Sequence, residues 1–254
     1  MSTLAASLTD SRIMLGRNLK HTWRNPLVLF NAVLFPVVVM LLFVKVFGGA
    51  FAVGENYVDF ATPGMLILAV SYGLATTAVA VNEDMSKGVI NRFRTMDVSR
   101  GAILTGHVVV TTVRCLLANL AIVAVAFLMG FDPAAGPLEW LAVLGLIVLV
   151  AFAASWLTIA LGLAATSAEA AGLAAVPLIL LPFLSSTFVP VETMGTGLRQ
   201  FAEYQPFTPI IDTLRGLLLD GHAPAGSALA AVAWCVGISL AGYLWSVRTF
   251  SRRA

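Results

Sequence analysis

Residues 82–101 read NEDMSKGVINRFRTMDVSRG, a charged stretch set between two long apolar runs. Met85, Val89, Ile90, Phe93 and Met96 fall on one broad helical face, and Glu83, Asp84, Lys87, Arg92 and Arg94 occupy much of the rest. Asn82 is placed to cap the helix, and the two acids in its first turn suit the helix dipole. The pattern predicts a helix of about three turns parallel to a membrane, its apolar face against the ends of spanning helices and its charged face toward the cytoplasm. Such an element is a docking site for a soluble partner. The plainer alternative is a solvated loop kept inside by its basic residues.

The flanks justify invoking a membrane. The chain has 254 residues, 59% hydrophobic and only 11% charged, with a mean hydropathy of +0.92. Soluble domains carry about 25% charged residues, so a water-facing exterior is excluded. A bilayer core needs roughly 20 helical residues to cross. Six runs are expected as spans: 26–47, 60–81, 104–129, 138–161, 170–188 and 226–247. No strand pattern competes, so the expected fold is an all-α integral membrane protein, a single transmembrane domain over 1–254.

An even number of spans puts both termini on one side, and Lys and Arg choose that side. Arg12, Arg17, Lys20 and Arg24 precede the first run, Lys87, Arg92, Arg94 and Arg100 follow the second, and Arg248, Arg252 and Arg253 close the chain. The opposite side holds Lys45, Arg199 and Arg215 among most of the acids. Both termini, including the 248–254 tail, are therefore expected in the cytoplasm. The first 25 residues have no cleavable leader pattern. Leu4, Leu8, Leu15 and Leu19 give them an apolar face among basic positions, which predicts an amphipathic interfacial helix.

Lys45 can snorkel from the outer end of the first span. Arg114 is harder to place. If the third span enters lipid near His107, Arg114 lies about two turns deep and within reach of the interface; the other reading has it lining a polar cavity. Cys115 and Cys235 sit in apolar runs and His21, His107 and His222 are scattered, so neither a disulfide nor a metal site is expected. Residues 191–222 are long for a plain loop. They hold helix-compatible pieces over 192–203 and 208–219, broken at Gln205-Pro206, and Ile210, Ile211, Leu214, Leu217 and Leu218 give the second an apolar face. A helical hairpin dipping into the outer leaflet fits this best.

The chain carries no phosphate-binding G-x-x-x-x-G-K-[ST] loop and no dinucleotide fingerprint. It also lacks a voltage-sensor-like Arg series, a filter motif or an evident inverted repeat. An energy source must come from elsewhere.

Two motifs point to it. The first is the acid pair Glu83-Asp84 followed by Lys87-Gly88, Arg92-x-Arg94 and Val98-Ser99-Arg100, with Asp97 where proline is common. The second runs from Pro177 to Gly221, PLILLPFLSSTFVPVETMGTGLRQFAEYQPFTPIIDTLRGLLLDG, with Gly195 replacing a usual Pro and Gln205 a usual Asn. Together they resemble the type-2 ABC exporter permeases, specifically the daunorubicin-resistance-type branch, over nearly the whole chain.

That resemblance implies a half-transporter in the bacterial inner membrane. Two permease copies, usually identical, would pair with two separately encoded ABC ATP-binding subunits that bind ATP and Mg. This chain would bind no cofactor and catalyse nothing by itself. Residues 83–96 would form a coupling helix seated on the ATPase, through Glu83, Asp84, Lys87, Gly88, Arg92, Phe93 and Arg94, with Arg100 following. Arg12, Arg17, Lys20, Trp23 and Arg24 of the interfacial helix would touch the ATPase as well. Glu192, Met194, Pro206, Asp212 and Arg215 would mark the outer hairpin.

The cargo would be a small hydrophobic or amphipathic drug, antibiotic or polyketide, moved by alternating access. Membrane lipids would surround the protein, and nucleic acid would have no part. Phe30, Asn31, Phe35, Met65, Tyr72, Arg114 and Phe183 are the candidate pathway residues, against the blander reading of ordinary span packing. Rival readings are an exporter of lipid-linked polysaccharide or envelope lipid, an intramembrane enzyme, and a scaffold or immunity protein.

Overall fold

The computed structural model describes residues 26–49, 56–86 and 100–253. Their order is α1 (Pro26–Leu42, continued by a π turn, Phe43–Phe47), α2 (Tyr57–Ser86), α3 (Arg100–Leu128), α4 (Pro137–Ala164) and α5 (Ala168–Leu180). A 3-10 turn over Leu181–Leu184 and another over Val191–Thr193 lead to α6 (Thr196–Tyr204), α7 (Phe207–Arg215, then a π turn Gly216–Asp220) and α8 (Ala225–Arg253). No strand occurs among the described residues.

Four helices, α2, α3, α4 and α8, are long and apolar enough to cross a membrane. Among the described residues the apolar stretches Leu34–Phe47 and Ala168–Leu184 are shorter. Proline accounts for the second. Pro182 cannot donate to the preceding turn, so α5 tightens into 3-10 geometry at Leu181, and Ser185 Oγ caps that turn on the Pro182 carbonyl at 2.5 Å.

The bundle is organised around α2, which packs on α3, α4 and α5. Its most apolar stretch is 72% buried, against 17% for the same measure on α8. Met65, Leu66, Ile67, Leu68 and Leu74 of α2 are fully enclosed with Ile122 of α3 and Ile211, Leu214 and Leu218 of the α7 region. The large side chains left outward, such as Leu120, Leu141, Leu229 and Leu240, suit a lipid surround and would be unusual in water.

Missing side chains let helices touch. A Cβ added at Gly162 of α4 would stand 2.5 Å from the Ala78 carbonyl oxygen of α2, and one at Gly242 of α8 would stand 2.6 Å from the Leu157 nitrogen of α4. These are close backbone approaches of the kind that stabilise helix pairs in lipid, where burial alone gives little drive.

One expectation is corrected. Asn82 does not cap a new helix, because α2 continues unbroken through Ser86. Its amide is 3% exposed and donates across to the carbonyls of Gly162 at 3.1 Å and Ala165 at 2.8 Å. Those carbonyls belong to the last turn and C-cap of α4, which lack intrahelical donors; satisfying them is worth more than starting a helix at 82.

Candidate functional site

One end of the bundle is built from the end of α2 and the start of α3. Glu83 and Asp84 lie half-buried in the last turn of α2. Asp84 Oδ2 meets His107 Nε2 of α3 at 3.2 Å. Beside this pair, Val81 and Met85 of α2 pack with Leu104 and Val108 of α3, Trp156, Ile159 and Leu163 of α4, and Phe250 of α8. The end of α2 and the start of α3 therefore share one apolar cluster with a polar clasp beside it. Lys87, Gly88, Arg92, Phe93 and Arg94 lie outside the described residues, as do Arg12, Arg17, Lys20, Trp23 and Arg24; Arg100 opens α3.

Deeper in the bundle, Arg114 does not reach for the interface. It is 8% exposed, and its Nη2 crosses to α2, donating to the Gly73 carbonyl at 2.6 Å and to Thr77 Oγ1 at 2.7 Å. Thr77 Oγ1 lies 2.8 Å from Thr111 Oγ1. The Arg114 Nε is buried without a hydrogen-bond partner, and no carboxylate among the described residues makes an ion pair with it. Thr77 and Thr111 were not among the sequence candidates. The signal for them is weak, since threonines are common in spans and only the facing helix gives these two a role.

The other pathway candidates do not converge. Phe35 stacks on Tyr72 with ring centroids 4.2 Å apart, while Met65 is fully enclosed in the core. Phe183 is half-buried and stacks on Phe188 at 5.2 Å. Phe30 and Asn31 belong to α1.

At the opposite end of the bundle Arg215 holds the α6–α7 hairpin in place. Its guanidinium donates from Nη1 to Asp212 Oδ1 at 2.8 Å and from Nη2 to the Ser186 carbonyl at 2.6 Å and the Phe60 carbonyl at 3.2 Å. Its Cζ also lies 4.1 Å above the Phe60 ring. Ser186 Oγ donates to Asp212 at 2.7 Å. Burial pushes the Asp212 carboxyl above its ordinary range, and the Ser186 and Arg215 donors act against that. Pro206 precedes α7 at its N-cap, and Gln205 Nε2 donates to the Leu184 carbonyl at 2.6 Å, fixing the break between α6 and α7. Glu192 is exposed and Met194 half-buried, in the 3-10 turn and C-cap that precede α6.

Four helices long and apolar enough to cross a membrane, with a hairpin pinned to them by Arg215, are the build of an integral membrane protein. Residues 9–219 match the model of the ABC-2 type transporter family, and the chain belongs to that family. It is 31% identical over 231 residues to the daunorubicin resistance ABC transporter permease protein DrrB1 of Streptomyces coeruleorubidus, covering 87% of this chain and 81% of that protein. It is also 24% identical over 247 residues to the probable doxorubicin resistance ABC transporter permease protein DrrC of Mycobacterium tuberculosis, covering 92% and 88%. The chain is thus an ABC-2 permease related to drug-resistance transporters.

Proposed function

We propose that this chain is the transmembrane subunit of an ATP-driven exporter of hydrophobic or amphipathic compounds, in a bacterial inner membrane with both termini cytoplasmic. Residues 26–47 and 170–188 serve as spans beside the four long helices, making six. Two copies of the chain assemble with two ABC ATP-binding subunits, which bind ATP and Mg while the permease binds neither. The drug-resistance names of the relatives support this choice of cargo over polysaccharide export.

The observation that carries the reading is the junction at the cytoplasmic end. The two helix ends that flank residues 87–99, the last turns of α2 and the first turns of α3, share one apolar cluster beside the Asp84–His107 pair. A force applied to that segment by an ATPase acts on α2 and α3 together, and α2 is packed on every other long helix except α8. ATP binding then favours one orientation of the bundle by its differential affinity for inward- and outward-facing states. Glu83, Asp84, Lys87, Gly88, Arg92, Phe93, Arg94 and Arg100 are assigned to the ATPase contact, with Arg12, Arg17, Lys20, Trp23 and Arg24 as a second contact.

The test is transport by the reconstituted complex. Proteoliposomes carrying the permease and its ATPase should move a fluorescent amphipathic dye only with ATP and Mg, and not when the ATPase lacks its catalytic carboxylate. Dye movement that ignores ATP, or none from an assembled and hydrolysing complex across a panel of amphipathic dyes, would contradict the assignment.

A further inference from the structure

A groove of about 520 Å³ opens on the membrane-facing side between α3 and α4. Its walls run from Val113 to Val123 on α3 and from Pro137 to Ile147 on α4. Each wall covers about ten residues of helix, which rise about 15 Å. That is half of a hydrocarbon core about 30 Å thick, so the groove has the length of one leaflet. Its rims, Leu120 and Leu141, are 66% and 64% exposed, while Val143 and Ile147 on its floor are buried. Asn119 presents nothing polar to it: Nδ2 donates to the Cys115 carbonyl at 2.9 Å on its own helix, and Oδ1 is buried. Trp140, half-buried near the start of α4, marks the mouth, and tryptophan favours the headgroup level of a bilayer. Below that indole the side chains lining the groove offer hydrocarbon alone.

The mouth is acidic. Glu139 folds back over the start of α4, where its Oε2 would stand 2.8 Å from a Cβ on Gly136. It is half-buried and forms no ion pair among the described residues. Asp132 is exposed in the connection between α3 and α4, and its backbone N–H donates to Asp59 Oδ1 at 3.1 Å, which brings a third carboxylate to this end. No Lys, Arg or His occurs from residue 115 to residue 198. The nearest cations in sequence are engaged elsewhere, Arg114 with Gly73 and Thr77 deep in the bundle and Arg199 with Glu203.

We propose that this groove holds one acyl chain of a phosphatidylethanolamine, with the ammonium of the headgroup at Glu139 and Asp132. The walls select the tail. A linear chain lying between two helices is contacted from both sides along a whole leaflet, and many small dispersion contacts add up. The mouth selects the head. An ammonium donates charge-assisted hydrogen bonds to carboxylates, whereas phosphatidylglycerol brings a net negative charge to an end that has no free cation beside the groove to receive it. The lipid would thereby fill the space between the α3 and α4 halves that the 129–136 connection joins. Neither the cargo, the ATPase nor the orientation of the chain in the membrane enters this argument.

The test uses brominated lipids, which quench tryptophan on contact. The full chain keeping Trp140 alone, with Trp23, Trp156, Trp234 and Trp245 replaced by phenylalanine, is reconstituted in phosphatidylcholine containing increasing fractions of dibrominated phosphatidylethanolamine or phosphatidylglycerol. Half-maximal quenching of Trp140 is expected at an ethanolamine fraction about threefold below the glycerol one, the factor that an exposed ion pair supplies. A chain keeping Trp245 alone, on the outward face of α8, should show coincident curves. Glu139→Gln with Asp132→Asn should remove the difference, and Val123→Phe, which fills the groove, should make Trp140 behave like Trp245.

Coincident curves at Trp140 would overturn the headgroup recognition, and a preference that survives Val123→Phe would overturn the groove. Trp140 quenched by neither lipid would show another occupant, such as a helix of a second copy, and would overturn both. Should the single-tryptophan chain fail to give a monodisperse peak, the unaltered chain is released from nanodiscs of equal phosphatidylethanolamine and phosphatidylglycerol and weighed by native mass spectrometry. Retained phosphatidylethanolamine in excess, lost in Glu139→Gln, is expected; equal retention of the two, or none of either, would overturn the proposal.

Discussion

Replacing Thr77 by valine should expose how the membrane interior accommodates Arg114. The substitution keeps the shape and removes one hydroxyl. That hydroxyl accepts from Arg114 Nη2 at 2.7 Å and pairs with Thr111 Oγ1 at 2.8 Å. A hydrogen bond to a charged group contributes about 1.5–3 kcal/mol in proteins, and a buried hydroxyl left unpaired costs about 1–3 kcal/mol. Within membranes such bonds average only about 0.6 kcal/mol, because the unfolded reference state also finds partners. Arg114 has little slack, since its Nε is already unpartnered and the Gly73 carbonyl is its other acceptor. We therefore expect a loss of about 1–2 kcal/mol for Thr77→Val, measured by reversible SDS-induced unfolding in mixed micelles. Arg114→Met removes the charge that needs the bond, so in that background Thr77→Val should cost at least about 1 kcal/mol less. A coupling below about 0.3–0.5 kcal/mol, the level at which independent sites add, would show that the guanidinium does not rest on Thr77 and would refute the placement.

Other consequences follow from the same packing. Gly162→Ala puts a methyl group against the Ala78 backbone and should cost about 1–3 kcal/mol as overpacking in the same unfolding assay, whereas Gly237→Ala, with open space around its Cβ position, should be neutral or stabilising by up to about 1 kcal/mol. Arg215→Ala should release the outer hairpin, seen as faster hydrogen exchange over residues 185–220 with a stability loss of about 2 kcal/mol or more, and Arg215→Lys should not restore it, because a single ammonium cannot reach Asp212, Ser186 and Phe60 together. Asp84→Ala and His107→Ala should each lower ATP-driven transport without combining additively, while changing stability by less than about 1 kcal/mol, as befits a partly exposed pair.

What the sequence could disclose divides along the axis of the helices. Signals carried by consecutive residues were legible: the long apolar runs of α2, α3, α4 and α8, the break at Gln205-Pro206, and the amphipathic helix that became α7. Each follows from local composition, proline chemistry or period. Lateral relations were not legible. Nothing in its own segment says that Asn82 faces the last turn of α4 and not solvent, so the residue read as a cap. Arg114 likewise read as a side chain seeking the interface, because its acceptors lie on α2, 41 and 37 positions away in sequence. In lipid, hydrophobic pattern sets which residues can lie in the membrane but hardly which helix faces which; small residues such as Gly162 and Gly242 and a few polar contacts decide that.

The central claim is that the 83–96 stretch seats this permease on an ATPase. It is tested most directly by purifying the tagged chain from native membranes in mild detergent beside an Arg92→Glu/Arg94→Glu variant. The account predicts that a nucleotide-binding ATPase accompanies the wild type and is lost, or bound without driving transport, in the variant. Equal recovery with unimpaired transport in both, or no ATPase with either under conditions that keep other ABC complexes intact, would contradict it.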